Sequence, residues 1–218
     1  YANEPDKFEK IVGHLKLLSK AQYPAPTNYE FTDNAFGLHL SFPDYAMIDL
    51  LMNEIFIHKV YAFQTNNPEP FIIDAGSNIG VSILFFKKMY PNARIIGFEP
   101  SQKNFSFLEK NINNNNLTKV SVFNKALAAR EDQEIKLYFP GTTHGTVIGA
   151  SETSSDYEVA KTVSLSNYIN HTVDLLKMDI EGAEYEVFQD LFDNDKLKFV
   201  QKIIMEYHVP EQGLAKLL

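Results

Sequence analysis

Between Phe71 and Asn124 the chain repeats one grammar: three short apolar runs, "FIID", "ARIIGFE" and "KVSVFN", alternate with two longer stretches, 79–90 and 101–113, of helical character. A strand covered on both faces reads as a continuous apolar run, and a helix between two such strands returns the chain to start the next in parallel. The alternation predicts βαβαβ, an α/β unit with a mostly parallel sheet and helices on both faces. In the first helix Ile79, Ile83, Phe86 and Tyr90 recur at helical spacing and Pro91 ends it. The second begins after Pro100 with Ser101 as its N-cap and runs out into "NINNNN", where Asn tolerates the left-handed backbone of a helix end.

The flanks are less regular. Residues 1–68 read as a helical and hairpin extension of the same unit. Its helix, within 1–24, carries Ile11, Leu15 and Leu18 on one stripe and is closed by "YPAPT"; a hairpin follows within 29–44 around Asp33-Asn34 and Gly37; 45–63 returns to helix with Ile48, Leu51, Ile55 and Val60 apolar. In the core, 69–218, the third strand is followed by a strand pair in "ALAAREDQEIKLYFP" and a Gly/Ser/Thr-rich loop, 141–156, expected near the site with its His144. Strands are expected at "EVAKTVSL", "VDLLKMDIEG" and "FVQKIIMEYH" (199–208), with a helix at 183–193. The chain closes on "EQGLAKLL", which reads as the start of another helix, so the core is expected to be cut short there.

Charge narrows the ligand classes. With 20 basic against 28 acidic residues the formal charge is −8, and Lys and Arg form no cluster that would track a polyanion, so nucleic acid is not expected as a partner. The chain has no Cys, hence no disulfide, thiolate metal site or cysteine nucleophile, which fits a reducing compartment and a cytoplasmic location. The densest apolar run, "VSILFF", is far short of a membrane span. Sequons at Asn104, Asn116 and Asn170 read as accidents of an Asn-rich composition.

The first chemical signal is "FIIDAGSNIG", 71–80. In an open α/β sheet ligands sit beyond the carboxyl ends of the strands, and Asp74, Gly76, Ser77, Asn78 and Gly80 occupy that position after the first core strand. The glycines do not have the G-x-G-x-x-G spacing of a dinucleotide fingerprint, nor the spacing of an ATP phosphate loop. An acid ahead of the glycines would repel a pyrophosphate, whereas it suits a cationic ligand such as the amino-acid end of S-adenosylmethionine. Glu99 ends the second strand about 20 residues on, where an acid accepts hydrogen bonds from ribose hydroxyls.

The second signal is "LLKMDIEGAE", in which Asp179, Glu181 and Glu184 crowd one strand end; unpaired carboxylates are costly to bury, so these acids are expected to face a cleft. Glu184 also suits the first turn of the next helix. In "IIMEYH", Glu206 and His208 alternate to one side of the following strand. Asp179, Glu181 and His208 are candidate proton acceptors, with Glu206 orienting the histidine. The same group could bind a divalent ion, but no tight ligand motif is present and no metal is predicted.

In this order and spacing, "FIIDAGSNIG", "IGFEPS", "VDLLKMDIEGAEYEVF" and "IIMEYH" resemble the FkbM family of S-adenosylmethionine-dependent methyltransferases over roughly residues 70–208, and "LLKMDIEGAE" is the most specific block. The resemblance implies a Rossmann-like class I methyltransferase fold and methyl transfer to a hydroxyl oxygen, commonly on a sugar or natural-product scaffold. It implies that Asp74, Gly76 and the backbone of Ser77 and Asn78 hold the methionine portion, that Glu99 in "FEPS", ahead of Pro100, holds the ribose, that Lys125, Ala126 and Leu127 lie beside the adenine, and that Asp179 and Glu181 edge the methyl-transfer site. Ser77 stands where a small apolar residue such as Ala is expected. Two rivals remain: a nicotinamide-dependent oxidoreductase, disfavoured by the glycine spacing and the lack of a convincing Tyr-X-X-X-Lys pair, and a nucleoside-binding module without catalysis. No Asn-Pro-Pro-Tyr type motif points to amino-group methylation. The acceptor itself and the oligomeric state have no signature.

Overall fold

The structure, a computed structural model, describes residues 4–21, 30–138 and 157–208, with side chains from residue 12 onward. The 141–156 loop with His144 and the "EQGLAKLL" terminus lie outside the described residues.

Strand β3 (Phe71–Ala75) is the centre of a five-stranded sheet, with β4 (Arg94–Phe98) and β5 (Val120–Phe123) on one side and β9 (Leu175–Met178) and β10 (Ile203–Met205) on the other. Every pairing in it is parallel. Helices α3 (Val81–Met89), α4 (Gln102–Asn114) and α5 (Glu184–Asp193) make the returns. Strand order runs outward from β3 to β5, then reverses to β9 on the other side of β3, which creates a switch point between β3 and β9. This is the parallel α/β architecture expected from the alternation, in the Rossmann-like form that the family resemblance implies.

The period of two along β3 separates the two cores. Phe71, Ile73 and Ala75 pack with Leu176, Met178, Val187 and Leu191 on the α5 face. Ile72 joins Ile83, Phe86, Ile95 and Leu108 on the other face, in a cluster that continues into the N-terminal extension through Phe42, Ile48, Met52 and Phe56.

The extension consists of α1 (Glu4–Ala21), the hairpin β1 (Phe31–Ala35) and β2 (Leu38–Phe42), α2 (Tyr45–Met52) and a π-helical turn, Asn53–Ile57. The hairpin is where the sequence places it. The stripe on α1 is not: Leu15 and Leu18 are 57% and 42% exposed while Leu17 is buried. Gly13, one turn before Leu17, decides the docking face, because the Phe36 ring lies where a Cβ on Gly13 would sit 2.9 Å away. Lys16 and Lys20 on the same side bind the Asp33 carboxylate. Val60 falls beyond the helical segment, which ends at Ile57, and is exposed.

Ser101 caps α4, accepting from the Asn104 amide, and Asn116 takes the left-handed backbone, as expected. The Asn run also does something the periodicity does not reveal. Asn111, fully buried, accepts from Ser41 N at 2.7 Å and donates to Ser41 O at 2.9 Å and Ile79 O at 2.8 Å. One turn later Asn115 accepts from His39 N and donates to His39 O. Two side-chain amides thus pair with alternate residues of β2 as a neighbouring strand would.

The expected strand pair after β5 is corrected: β6 (Ala126–Leu127) and β7 (Glu134–Tyr138) do not pair with each other, and each flanks β8 (Tyr157–Val163) in a separate three-stranded sheet. The last expected strand shrinks to three residues, because Leu197–Phe199 close a 3₁₀ turn and Val200 makes an isolated bridge to Val173. Among the described residues no helix is long and apolar enough to cross a membrane.

Candidate functional site

At the switch point the carboxyl ends of the strands surround a cavity of about 290 Å³. Its walls are Gly76, Ser77 and Asn78 after β3, Glu99 to Ser101 after β4, Lys125 to Leu127 after β5, Asp179 to Glu181 after β9, and Glu206 with His208 after β10. Leu50, Leu51, Glu54, Ile55 and Tyr61 of the extension close the remaining side. Of the residues singled out from sequence, Asp74 and Gly80 are not on this wall.

Asp74 stands behind it. The carboxylate is fully buried, accepts from Ser82 Oγ at 2.6 Å, and lies 3.3 Å from Lys177 Nζ, its partner in register across the β3–β9 pair. Lys177, 2% exposed, also donates to the carbonyls of Gly76 at 2.6 Å and Ala75 at 3.2 Å. The acid that suggested a cationic ligand is therefore neutralised within the sheet, by a lysine visible in "LLKMD" but without a partner in the sequence alone.

Gly76 has φ 82°, in the left-handed region that favours glycine, and a Cβ there would fall inside the van der Waals envelope of the Asp179 carbonyl oxygen. The close approach that requires this glycine is between two segments of the protein. The amides of Gly76 and Ser77 both donate to Phe98 O, at 3.0 and 2.8 Å. Ser77 is accommodated because its hydroxyl donates to Asp74 O at 2.9 Å and faces Gly97, where any Cβ would come within 2.6 Å of the oxygen. Gly80 is the left-handed N-cap of α3 and donates to Ser77 O, so it shapes the turn from behind. On the wall, the buried Asn78 Oδ1 has no hydrogen-bond partner.

Glu99 is 6% exposed and reaches the turn: Oε2 accepts from Asn78 N at 2.8 Å and Oε1 from Ser101 N at 2.9 Å. Burial pushes its carboxyl up to about 7, against the downward pull of those two amides. Each oxygen keeps acceptor capacity toward the cavity. An orphan acceptor and a carboxylate with capacity to spare, beside a backbone turn, fit a ligand rich in hydroxyl and amino donors, the character of an adenosine carrying an amino acid.

Across the cavity Asp179 Oδ2 accepts from Tyr61 OH at 3.0 Å and lies 3.9 Å from Lys177 Nζ. Burial and the neighbouring Asp179 raise the Tyr61 phenol, so it stays a donor. Glu181 takes φ 55°, a left-handed conformation that non-glycine residues adopt at a cost and that concentrates at functional sites. Glu184 does more than adorn a helix start: it is fully buried and accepts from Ile180 N at 3.2 Å and Gly182 N at 3.1 Å. Its Oε1 meets His208 Nδ1 at 3.0 Å. Glu184 thus fixes the histidine ring, the position expected of Glu206, whose Oε1 stands 3.4 Å from His208 Nε2. Burial draws the His208 pKa down, but the bond to Glu184 and the charges of Glu181, Glu184 and Asp179 outweigh it and leave it raised. Asp179, Glu206 and His208 each present one donor atom within 4.8 Å of the others. Sequence reasoning missed Tyr61, which has no motif, and Lys177, which lies inside the most informative block.

Comparison with known proteins identifies the family. A family model described as "Methyltransferase FkbM domain" matches residues 74–215. The chain is 29% identical over 185 residues to Methyltransferase 1 of Beauveria bassiana (strain ARSEF 2860), covering 73% of each, and 27% identical over 194 residues to Methyltransferase sdnD of Sordaria araneosa, covering 73% of this chain and 74% of the other. A solved structure of a methyltransferase FkbM from Methylobacillus flagellatus KT superposes with a TM-score of 0.43 at 13% identity over 87% of this chain, which spans 46% of that protein. The family match alone extends over more than half of the sequence, and the chain belongs to the FkbM family of methyltransferases.

Proposed function

We propose that the cavity binds S-adenosylmethionine and that the protein transfers its methyl group to a hydroxyl oxygen of a small-molecule or glycan acceptor. The observation that carries this reading is the convergence of the β3 turn with Glu99 and of the acid and histidine group after β9 and β10 on one cavity.

Glu99 is the ribose ligand, its two oxygens already oriented by Asn78 N and Ser101 N. Asn78 Oδ1 and the backbone from Gly76 receive the methionine portion, and Lys125 to Leu127, with Pro100, flank the adenine. Bound S-adenosylmethionine supplies an electrophilic sulfonium methyl. Positioning an oxygen in line with that methyl and keeping water away is then the main task. One of Asp179, Glu181 and His208 takes up the proton that the hydroxyl loses. Leu50, Leu51 and Ile55 give the acceptor an apolar wall. A nicotinamide cofactor is less suited: the match to Tyr-X-X-X-Lys at 157–161 runs along strand β8, which spreads the two side chains apart, since residues rise about 3.3 Å each in a strand.

The test is calorimetric titration of the full chain with S-adenosylmethionine, S-adenosylhomocysteine and NAD⁺, on the wild type and on Glu99→Gln. Binding of the first two, weakened at least tenfold in the variant by roughly the loss of one charge-assisted bond, supports the reading. Binding of NAD⁺ alone, or of none of the three, overturns it. Transfer of label from methyl-labelled cofactor to a set of hydroxyl acceptors then separates an enzyme from a nucleoside-binding module.

A further inference from the structure

We propose that Asp179, Glu206 and His208 form a site for one divalent transition-metal cation of intermediate hardness, Mn²⁺, Fe²⁺ or Zn²⁺, whose use, though not its binding, rests on the methyltransferase reading above.

Spacing around the imidazole is the first argument. His208 Nε2 has three carboxylate oxygens near it, Glu206 Oε1 at 3.4 Å, Glu181 Oε2 at 3.8 Å and Asp179 Oδ1 at 3.9 Å. All three stand beyond the roughly 3.2 Å limit of an N–H···O bond. They surround the nitrogen without bonding to it. Donors that share an ion at about 2.0–2.2 Å stand roughly 3.0–3.5 Å from one another, so a small inward movement converts this arrangement into a coordination shell.

The outer partners are already in place. Glu184, fully buried and anchored on Ile180 N and Gly182 N, holds His208 Nδ1 and leaves Nε2 as the ring atom turned toward the acids. Tyr61 OH engages Asp179 Oδ2 and leaves Oδ1 for the site. Metal-ligating histidines and carboxylates are held in this way, with the second atom of each committed to a neighbour. Charge points in the same direction. Asp179, Glu181, Glu184 and Glu206 converge on one imidazole, and the adjacent Lys177 is shared with Asp74 and two backbone carbonyls.

The donor set chooses the class of ion. One imidazole with carboxylates suits Mn²⁺, Fe²⁺ and Zn²⁺; Ca²⁺ asks for six or more oxygens, and Mg²⁺ favours all-oxygen octahedra. An ion at this place would accept the acceptor hydroxyl as a further ligand and lower its pKa, and the proton would then pass to Glu181, the one candidate base outside the ligand set.

The test is a titration of the full chain, stripped with EDTA and dialysed, with Mn²⁺, following loss of the free-ion EPR signal. Glu206→Gln and His208→Asn are titrated alongside, with thermal unfolding to verify folding; the Glu206 side chain is 62% exposed, so its replacement leaves the core intact. One Mn²⁺ per wild-type chain, displaced by Zn²⁺ and bound about tenfold or more weakly by each variant, is the expected result. Absence of a stoichiometric site, or binding that Glu206→Gln leaves unchanged, overturns the proposal. S-adenosylmethionine binding to the metal-free chain is measured in parallel, so that loss of the cofactor reading and loss of the metal site are seen separately.

Discussion

Glu99 shows how one buried side chain links ligand and stability. Its carboxylate ties the Asn78 turn to the start of α4, and burial moves it from the ordinary 4.5 to about 7. On the proposed reading the ionised form is the stronger acceptor for a ribose hydroxyl, so affinity for S-adenosylmethionine should fall as pH drops through that value. Calorimetry at pH 8 and pH 6 should differ by about tenfold in Kd, as expected for a group only about one-tenth ionised one unit below its pKa, and Glu99→Gln should flatten the profile. Stability has the opposite sign. The folded carboxyl holds its proton more tightly than the unfolded one, so its contribution is full below about 4.5 and is lost as pH rises through about 7. Urea midpoints of the ligand-free chain between pH 5 and pH 8 should show that loss, and Glu99→Gln should remove it. Gly76 is constrained by geometry alone. Gly76→Ala adds a left-handed backbone cost of about 1–2 kcal/mol to a collision with the Asp179 carbonyl that neither strand can relieve. The variant should lose at least about 3 kcal/mol in urea unfolding; a loss below about 1 kcal/mol would mean the β3 turn and β9 can separate freely.

At the scale of elements, the Asn111 and Asn115 amides join α4 to β2 in place of a neighbouring strand. Asn111→Ala leaves Ser41 N, Ser41 O and Ile79 O without their buried partner, at about 1 kcal/mol or more each. A loss of about 3 kcal/mol in chemical denaturation is expected, against about 1 kcal/mol for the more exposed Asn115→Ala. This junction also marks where sequence reading stopped. The strands from 71 to 123 and their helices were legible because burial on both faces writes continuous apolar runs and caps such as Ser101 have local signatures. The docking face of α1 was not: a glycine contact with Phe36 leaves no apolar mark, while Leu15 and Leu18 leave a strong one and face outward. An Asn-rich helix end reads as fraying unless one knows that β2 lies beside it. Nor does pairing follow sequence adjacency, since β6 and β7 meet only through β8.

Across the whole molecule, the strand ends that line the cavity were legible one at a time, and their connections were not. "DAGSNIG", "FEPS", "KMDIEGAE" and "MEYH" each mark a strand end, and the parallel sheet brings those ends to one cavity. Which acid pairs with which cation depends on register: Asp74 and Lys177 are more than a hundred residues apart and meet because β3 and β9 align them side by side. Their pairing at the centre of the sheet also links the two halves of the site, since Lys177 touches the carbonyls of the β3 turn and lies beside Asp179. A buried pair of this kind gives little net stability compared with apolar replacements, but removing one member strands the other. Lys177→Met should therefore destabilise the protein by about 3–5 kcal/mol, because Asp74, fully buried, keeps only the Ser82 hydroxyl. Lys177→Met combined with Asp74→Asn removes the stranded charge and should recover most of that loss in urea unfolding. If the double variant is no more stable than Lys177→Met, the lysine acts through its bonds to the Gly76 and Ala75 carbonyls, and the strand pair is held by the turn instead of by its charges.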